Sequence, residues 1–381
     1  MKRRTFLQGL GISVGLSGLS ALAGAVEESR NLRPGMFFDP SLVNQGTTLK
    51  AAAGAKGLLY GAATSRKILQ SDPEFERVFV QQCGIITPEG EMKWKALRPG
   101  IDRYKFDDAD WLVDWARKNE LLFRGHTLVW GLNLPDWVEK QVSRGNAEKV
   151  MLDHIRTVVG RYQGKIHSWD VVNEIIHPED GRPDGLAKGV WLDNIGPDYV
   201  AKAFQAARAA DSQALLVWNE RLLEYDAPWS EHQRSATLNQ LKKLKSVGAP
   251  IDALGIQSHL RDKEDQHFNP HKLQDFLRQV SSMGLKILIT ELDVRETQTQ
   301  LETRDNDVAR IYEKFLNVVL AEKAVISVQT WGLSDKYTWL SKESPRSDNQ
   351  PVAPLPLDAS LSAGKPIYDA LLRTFQQAPS R

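Results

Sequence analysis

From position 58 onward the chain alternates between two hydrophobic rhythms. Short apolar runs rich in Val, Ile and Leu begin at Leu58, Ile85, Leu122, Ser168, Ala214, Ala253, Lys286 and Val325. Runs of this length bounded by turn residues read as buried strands. The segments between them space their apolar residues at helical intervals, as where Trp111, Leu112 and Trp115 share one face. Helix signals flank them. Ser71-Asp72-Pro73 offers a capping residue before a first-turn proline. Val280-Ser-Ser-Met-Gly284 and Lys242-Lys-Leu-Lys-Ser-Val-Gly248 each end on a glycine that feeds a strand. Eight strands alternating with helices predict an α/β protein, a single-domain (β/α)8 TIM barrel over residues 58–381. The competitor is a doubly wound open sheet. That fold needs a glycine-rich phosphate turn after its first strand, and Tyr60-Gly61-Ala62-Ala63-Thr64-Ser65 is a poor one. Residues 26–57 read as an irregular lead-in packed on the domain. Ser341–Leu361, rich in Pro, Ser and Asp, is expected to be a loop on the active face after the eighth strand.

Composition narrows the function classes. Lys and Arg number 49 against 48 Asp and Glu, a formal charge of +1 spread along the chain. That argues against nucleic acid as a partner and against a cationic membrane surface. The single cysteine, Cys83, excludes an intrachain disulfide and a multi-cysteine metal site, and reads as a buried, inert thiol. His267 and His271 are separated by Pro270 and lack a third ligand, so they read as loop residues and no metal is implied. Lys2-Arg3-Arg4-Thr5-Phe6-Leu7, a modest apolar stretch and Ala23-Gly24-Ala25 make residues 1–25 a secretory signal. The paired arginines resemble a twin-arginine export signal. The expected destination is outside a bacterial cytoplasm, periplasmic or secreted, with no stable membrane insertion after signal removal. Gly9-Leu10-Gly11 follows no strand and is not a dinucleotide fingerprint.

The strand ends carry the chemistry. In a barrel of this kind function sits at the C-terminal ends of the strands. Here those ends read Thr87-Pro-Glu89-Gly-Glu-Met-Lys93-Trp94, His126-Thr-Leu-Val-Trp130, Asn173-Glu174, Asn219-Glu220, Gln257-Ser-His259, Glu291-Leu-Asp293 and Thr330-Trp331, with Trp339 beyond. Seven polar ends in succession exceed what stability explains. Two glutamates, each at the mouth of its own buried strand, are what glycosidic bond cleavage requires. Asn219 and Glu220 are readable either as cleft wall or as packing. Trp94, Trp111, Trp115, Trp137 and Trp169 read as core.

These stretches resemble glycoside hydrolase family 10, the endo-1,4-β-xylanases. Trp169-Asp-Val-Val-Asn-Glu174 and Ile289-Thr-Glu-Leu-Asp293 carry most of the likeness, with Glu-Met-Lys-Trp, His-Thr-Leu-Val-Trp and Gln-Ser-His in order around them. The resemblance implies a retaining enzyme that cuts internal β-1,4-xylosidic bonds through a covalent glycosyl-enzyme, acting as a monomer on xylan without a cofactor. It makes Glu174 the general acid/base and Glu291 the nucleophile. Such an enzyme needs two carboxyl groups about 5–5.5 Å apart, one protonated and one ionised. Glu291 should be kept ionised by His259, with Asp293 orienting that imidazole. Asn173 should bond the hydroxyl beside the reacting carbon. Lys93, His126, Trp130 and Gln257 match positions that hold the sugar at the scissile bond, and Glu89 a contact to the next sugar outward. Trp331 and Trp339 would cage them. The chain departs from the family pattern at three places. Gly90 stands where asparagine is usual. Gly131-Leu132-Asn133 replaces His-Ser-Gln, with Asn133 still able to bond a sugar hydroxyl. Glu220 replaces aspartate. Two other readings stay open: a hydrolase for decorated xylan or another β-1,4-glycan, and a non-catalytic carbohydrate-binding protein on a hydrolase scaffold.

Overall fold

The computed structural model describes residues 47–297 and 300–381. They belong to one compact unit, Pro40–Arg381. The expected signal peptide and the start of the lead-in lie outside the described residues.

Among the described residues eight parallel strands close a ring. They are β1 Leu59–Thr64, β2 Ile85–Pro88, β3 Leu122–Gly125, β4 Ser168–Asn173, β5 Leu215–Glu220, β6 Ala253–Ile256, β7 Lys286–Arg295 and β8 Val325–Thr330. Each pairs with the next, and β8 pairs back to β1 with Tyr60 opposite Val328. Two short extensions follow on the same end: Val129–Trp130 pairs with β4, and His259–Arg261 with β7. The strand starts fall within one residue of those read from the apolar runs. This is the (β/α)8 barrel the alternation predicts.

Local chemistry sets the helices. Asp72 caps Pro73–Gln82 by accepting from the Phe75 N–H at 3.1 Å, and the helix buries Phe75, Val78 and Phe79. Gly284, at φ 77°, ends the helix Pro270–Ser282 and turns the chain into β7. His271 lies in the first turn of that same helix, not in a loop as expected. The lead-in is also more ordered than expected. Leu49–Gly54 is a helix capped by Thr48, and Leu49 N–H donates to Gln82 Oε1 at 3.0 Å. Tyr368 of the last helix, Pro366–Gln377, donates to that same oxygen at 3.0 Å. The helix Leu49–Gly54 and the last helix thus brace one end of the barrel. Cys83 is fully buried and unpaired. The stretch from Ser341 to Leu361 folds over the opposite end: Ala353 N–H donates to Glu296 Oε1, one residue past β7, at 2.9 Å.

Ile326 is an extra residue near the start of β8, and two further irregularities lie toward the mouth. Along β4, Asp170 pairs with Val217 but Val172 already pairs with Trp218. Along β7, Ile289 pairs with Val328 but Leu292 pairs with Thr330. Each has one extra residue, a bulge, which reverses the phase of everything beyond it. These are the strands that deliver Glu174 and Glu291.

Candidate active site

The β4 bulge decides which residue enters the barrel mouth. Strict alternation from Asp170 would turn Val172 inward. The extra residue turns Asn173 inward instead, opposite Asn219 on β5, and their side chains meet at 2.8 Å. Glu174 follows at φ 52°. A positive φ on such a side chain costs on the order of 1–3 kcal/mol and persists only where the surroundings enforce it. Here the Glu174 N–H is held by Asn219 O at 3.0 Å, and the next two N–H groups donate to Glu220. Glu174 Oε1 accepts from Gln257 Nε2 at 2.9 Å and from Asn173 at 3.4 Å. Oε2 faces Arg221, whose Nη1 is 3.5 Å away.

The β7 bulge makes Thr290 and Glu291, adjacent in sequence, reach the same neighbour. Thr290 Oγ1 donates to Asn219 Oδ1 at 2.7 Å, and Asn219 Nδ2 donates to Glu291 Oε1 at 2.8 Å. Asn219 therefore bridges Asn173 and Glu291, and through Asn173 it links the two glutamates. Room for its side chain exists because its neighbour on β6 is Gly255, where a Cβ would stand 2.5 Å from Asn219 Oδ1.

The electrostatics keep Glu291 charged. Burial opposes charge on Glu291, but the His259 bond and nearby positive charges, including buried Arg124, win and hold it down to about 2. His259 shows the reverse. Burial lowers its proton affinity, yet Asp293 and Glu291 raise it to about 10. The resulting imidazolium donates from Nδ1 to Asp293 at 2.8 Å and from Nε2 to Glu291 at 3.2 Å. Asp293 also accepts from Trp339 Nε1 at 2.7 Å, which fixes that indole against His259. Asp293, His259 and Glu291 thus form one hydrogen-bonded chain.

The remaining expected residues gather around this pair, with one exception. Lys93 extends its ammonium to 5.3 Å from the Trp130 ring and 5.7 Å from Trp331. Burial lowers its proton affinity, while Glu291, Glu89 and Glu174 all raise it, so it stands in the field of both carboxylates. His126 lies 2.7 Å from Asp170, which is also paired with Arg124, and packs edge-on to Trp331. Trp331 packs against His259 on its other side. Glu89 is half-buried, and burial together with Glu91 pushes it up to about 7. Asn133 is the exception. It sits on an exposed loop at φ 52° and makes no hydrogen bond to the site among the described residues.

Three contributors were open or missed in the sequence. Asn219 is the bridge just described. Glu220 is fully buried and turned away from the mouth; it accepts from Ile175, Ile176, Trp218, Arg221 and Gln233. It is a brace under the loop that carries Glu174. Glu224, buried in the loop after β5, accepts the Ser258 N–H at 3.0 Å and so holds the residue before His259 at φ 62°. A lone carboxylate in a loop carries no sequence signal of this kind.

An ionised carboxylate and a second, amide-supported one therefore meet at the barrel mouth, with three indoles and a lysine packed around them. That set can attack a carbon and donate a proton to its leaving oxygen.

Comparison with known proteins gives a consistent picture. Residues 48–374 match the family described as glycosyl hydrolase family 10. The chain is similar to endo-1,4-beta-xylanase B of Thermotoga neapolitana, 30% identical over 304 residues that cover 79% of this chain and 85% of the relative. It is 33% identical to endo-1,4-beta-xylanase 2 of Claviceps purpurea over 299 residues, 78% of this chain and 85% of the relative. Among solved structures it resembles native xylanase 10B from Thermotoga maritima, with a TM-score of 0.78 at 30% identity, covering 87% of this chain and 98% of that one.

Proposed function

The chain belongs to glycosyl hydrolase family 10, and from that premise we propose that it is a retaining endo-1,4-β-xylanase. Glu174 protonates the departing glycosidic oxygen while Glu291 attacks the anomeric carbon. A covalent glycosyl-enzyme forms on Glu291. Glu174, now ionised, takes a proton from the water that releases the sugar. The observation that carries this reading is the bridge Glu174–Asn173–Asn219–Glu291, which ties both carboxylates to one hydrogen-bonded frame at the barrel mouth.

The other residues take roles by position. Imidazolium at His259, oriented by Asp293, keeps Glu291 ionised. Asn173 bonds the hydroxyl beside the reacting carbon. Lys93, His126, Trp130, Gln257, Trp331 and Trp339 hold the sugar at the scissile bond, and Glu89 meets the next one. The substrate is xylan, as the names of the relatives support. The basic, apolar and Ala-x-Ala sequence of residues 1–25 supports export to the periplasm or the medium. Both carboxylates are present, which favours an enzyme over a binding scaffold.

One observation favours decorated xylan. A Cβ at Gly90 or at Gly131 would meet nothing within 4 Å, so there is open space at both places where the family carries larger side chains. The test is reducing-end release from xylan, cellulose and mixed-linkage glucan by the purified chain. Rapid release from xylan alone is expected. Equal or faster release from either glucan overturns the xylan assignment.

A further inference from the structure

Arg221 stands immediately after β5, and its backbone is pinned. Its N–H donates to Glu220 Oε1 at 3.0 Å, and Glu220 is itself held by four other donors. The side chain is treated differently. Nη1 lies 3.5 Å from Glu174 Oε2, an ion pair but longer than the roughly 2.7–2.9 Å of a charge-assisted hydrogen bond. Nε is buried and has no partner among the described residues. The side chain as a whole is 36% exposed. Two other arginines near the barrel mouth spend their donors, while Arg295, 5.2 Å over the Trp339 ring, keeps a buried Nε without a partner among the described residues. Arg124 binds Asp170 and Thr290 O, and Arg234 binds Leu223 O, Tyr225 O and Glu231. Arg221 presents a fork of donors that no described hydrogen bond uses.

Its position gives the fork a direction. Glu174 Oε1 faces Asn173 and Gln257, on the side of the bridge to Glu291. Oε2 faces Arg221. On the reading of Glu174 as general acid, on which this inference rests, the group beyond Oε2 lies beside the departing sugar. In the first chemical step Glu174 carries a proton and no charge. The guanidinium then faces no anion unless the substrate brings one. A carboxylate suits a planar guanidinium better than a hydroxyl does, because both of its oxygens can accept at once.

We propose that Arg221 determines specificity on the leaving-group side of the cleft by receiving a substrate carboxylate, so that the preferred substrate is a xylan chain with uronic acid branches. The positive charge next to the acid is then matched by the substrate during the step in which Glu174 is neutral.

The test compares kcat/KM for two xylo-oligosaccharides of equal length. One carries a uronic acid on the xylose at the leaving-group position, and the other carries a neutral pentose there. The wild-type protein is expected to favour the acidic substrate about tenfold or more, as one bidentate charge-assisted contact would give. Arg221→Gln should bring that ratio near one, and added salt should lower it in the wild type. A merely structural role would reduce both rates together and leave the ratio intact, which overturns the proposal. If R221Q fails to fold, the wild-type ratio and its salt dependence decide alone. Activity on both substrates with a wild-type ratio near one overturns the role of Arg221 and leaves the xylanase reading standing. Inactivity on both overturns that reading and this proposal with it.

Discussion

Replacing Asn219 with Asp changes one donor into an acceptor at the junction of the two carboxylates. Nδ2 now donates at 2.8 Å to both Glu291 Oε1 and Asn173 Oδ1. In Asn219→Asp an oxygen takes that place. The lost charge-assisted bond alone is worth about 1.5–3 kcal/mol. Two ionised carboxylates at that spacing would repel by roughly 6 kcal/mol at an effective dielectric of about 20. The pair must therefore hold a proton between them across the working range. Glu291 is held down to about 2 in the native site, so the change moves its titration upward and removes the nucleophile from the acid side. The acid limb of kcat/KM should move up by about 2 pH units or more, and kcat/KM near pH 6 should fall roughly a hundredfold. Asn219→Ala loses the bond without adding a charge, so its fall should be smaller, about tenfold to a hundredfold, with a smaller shift of the limb. An aryl β-xylobioside assayed across pH gives both readouts, with thermal melts to confirm folding. A folded N219D with wild-type activity and an unmoved acid limb refutes the bridge.

Two further outcomes follow from the same site. The His259 imidazole is raised to about 10 in the fold, from about 6.5 when unfolded. Its contribution to stability is complete below about pH 6.5 and is lost as pH rises toward 10; Glu291, lowered, contributes above about pH 4.5 and loses that contribution as pH falls toward 2. Melting temperature should drop between pH 7 and 10, and His259→Asn should flatten that drop; an unchanged slope in calorimetry would speak against the imidazolium. Gly255→Ala places a Cβ 2.5 Å from Asn219 Oδ1 and 3.1 Å from Thr290 Cγ2. Stability should fall by about 1–3 kcal/mol, and kcat should fall more than KM rises, because the displaced group supports the carboxylates and touches no sugar; denaturant melts and steady-state kinetics check both.

The architecture was legible because buried parallel strands announce themselves as unbroken Val, Ile and Leu runs, and a bulge leaves such a run intact. The mouth was legible only in part. Period-two reasoning cannot see that Val171 is an extra residue in β4 or that Thr290 and Glu291 both turn inward on β7, since a bulge depends on the partner strand. The same blindness left Asn219 undecided, although it is the residue both carboxylates lean on. Glu220, as open as Asn219 in sequence, is a brace in space, because alternation along unbulged β5 turns Asn219 in and Glu220 out. The helix Leu49–Gly54 was missed for a different reason. Six residues carry too little periodicity to register, and tertiary contacts with Gln82 and the last helix stabilise it. Asn133 was assigned from resemblance alone, and its exposed loop gives it no partner that sequence could have revealed.

The central claim is that Glu291 forms a bond to the sugar and Glu174 serves it as acid and then base. Proton NMR of a xylo-oligosaccharide digest in its first minutes, before mutarotation, tests this directly. The account predicts that the newly released reducing end appears first as the β-anomer. Initial release of the α-anomer would mean direct attack by water and would contradict it.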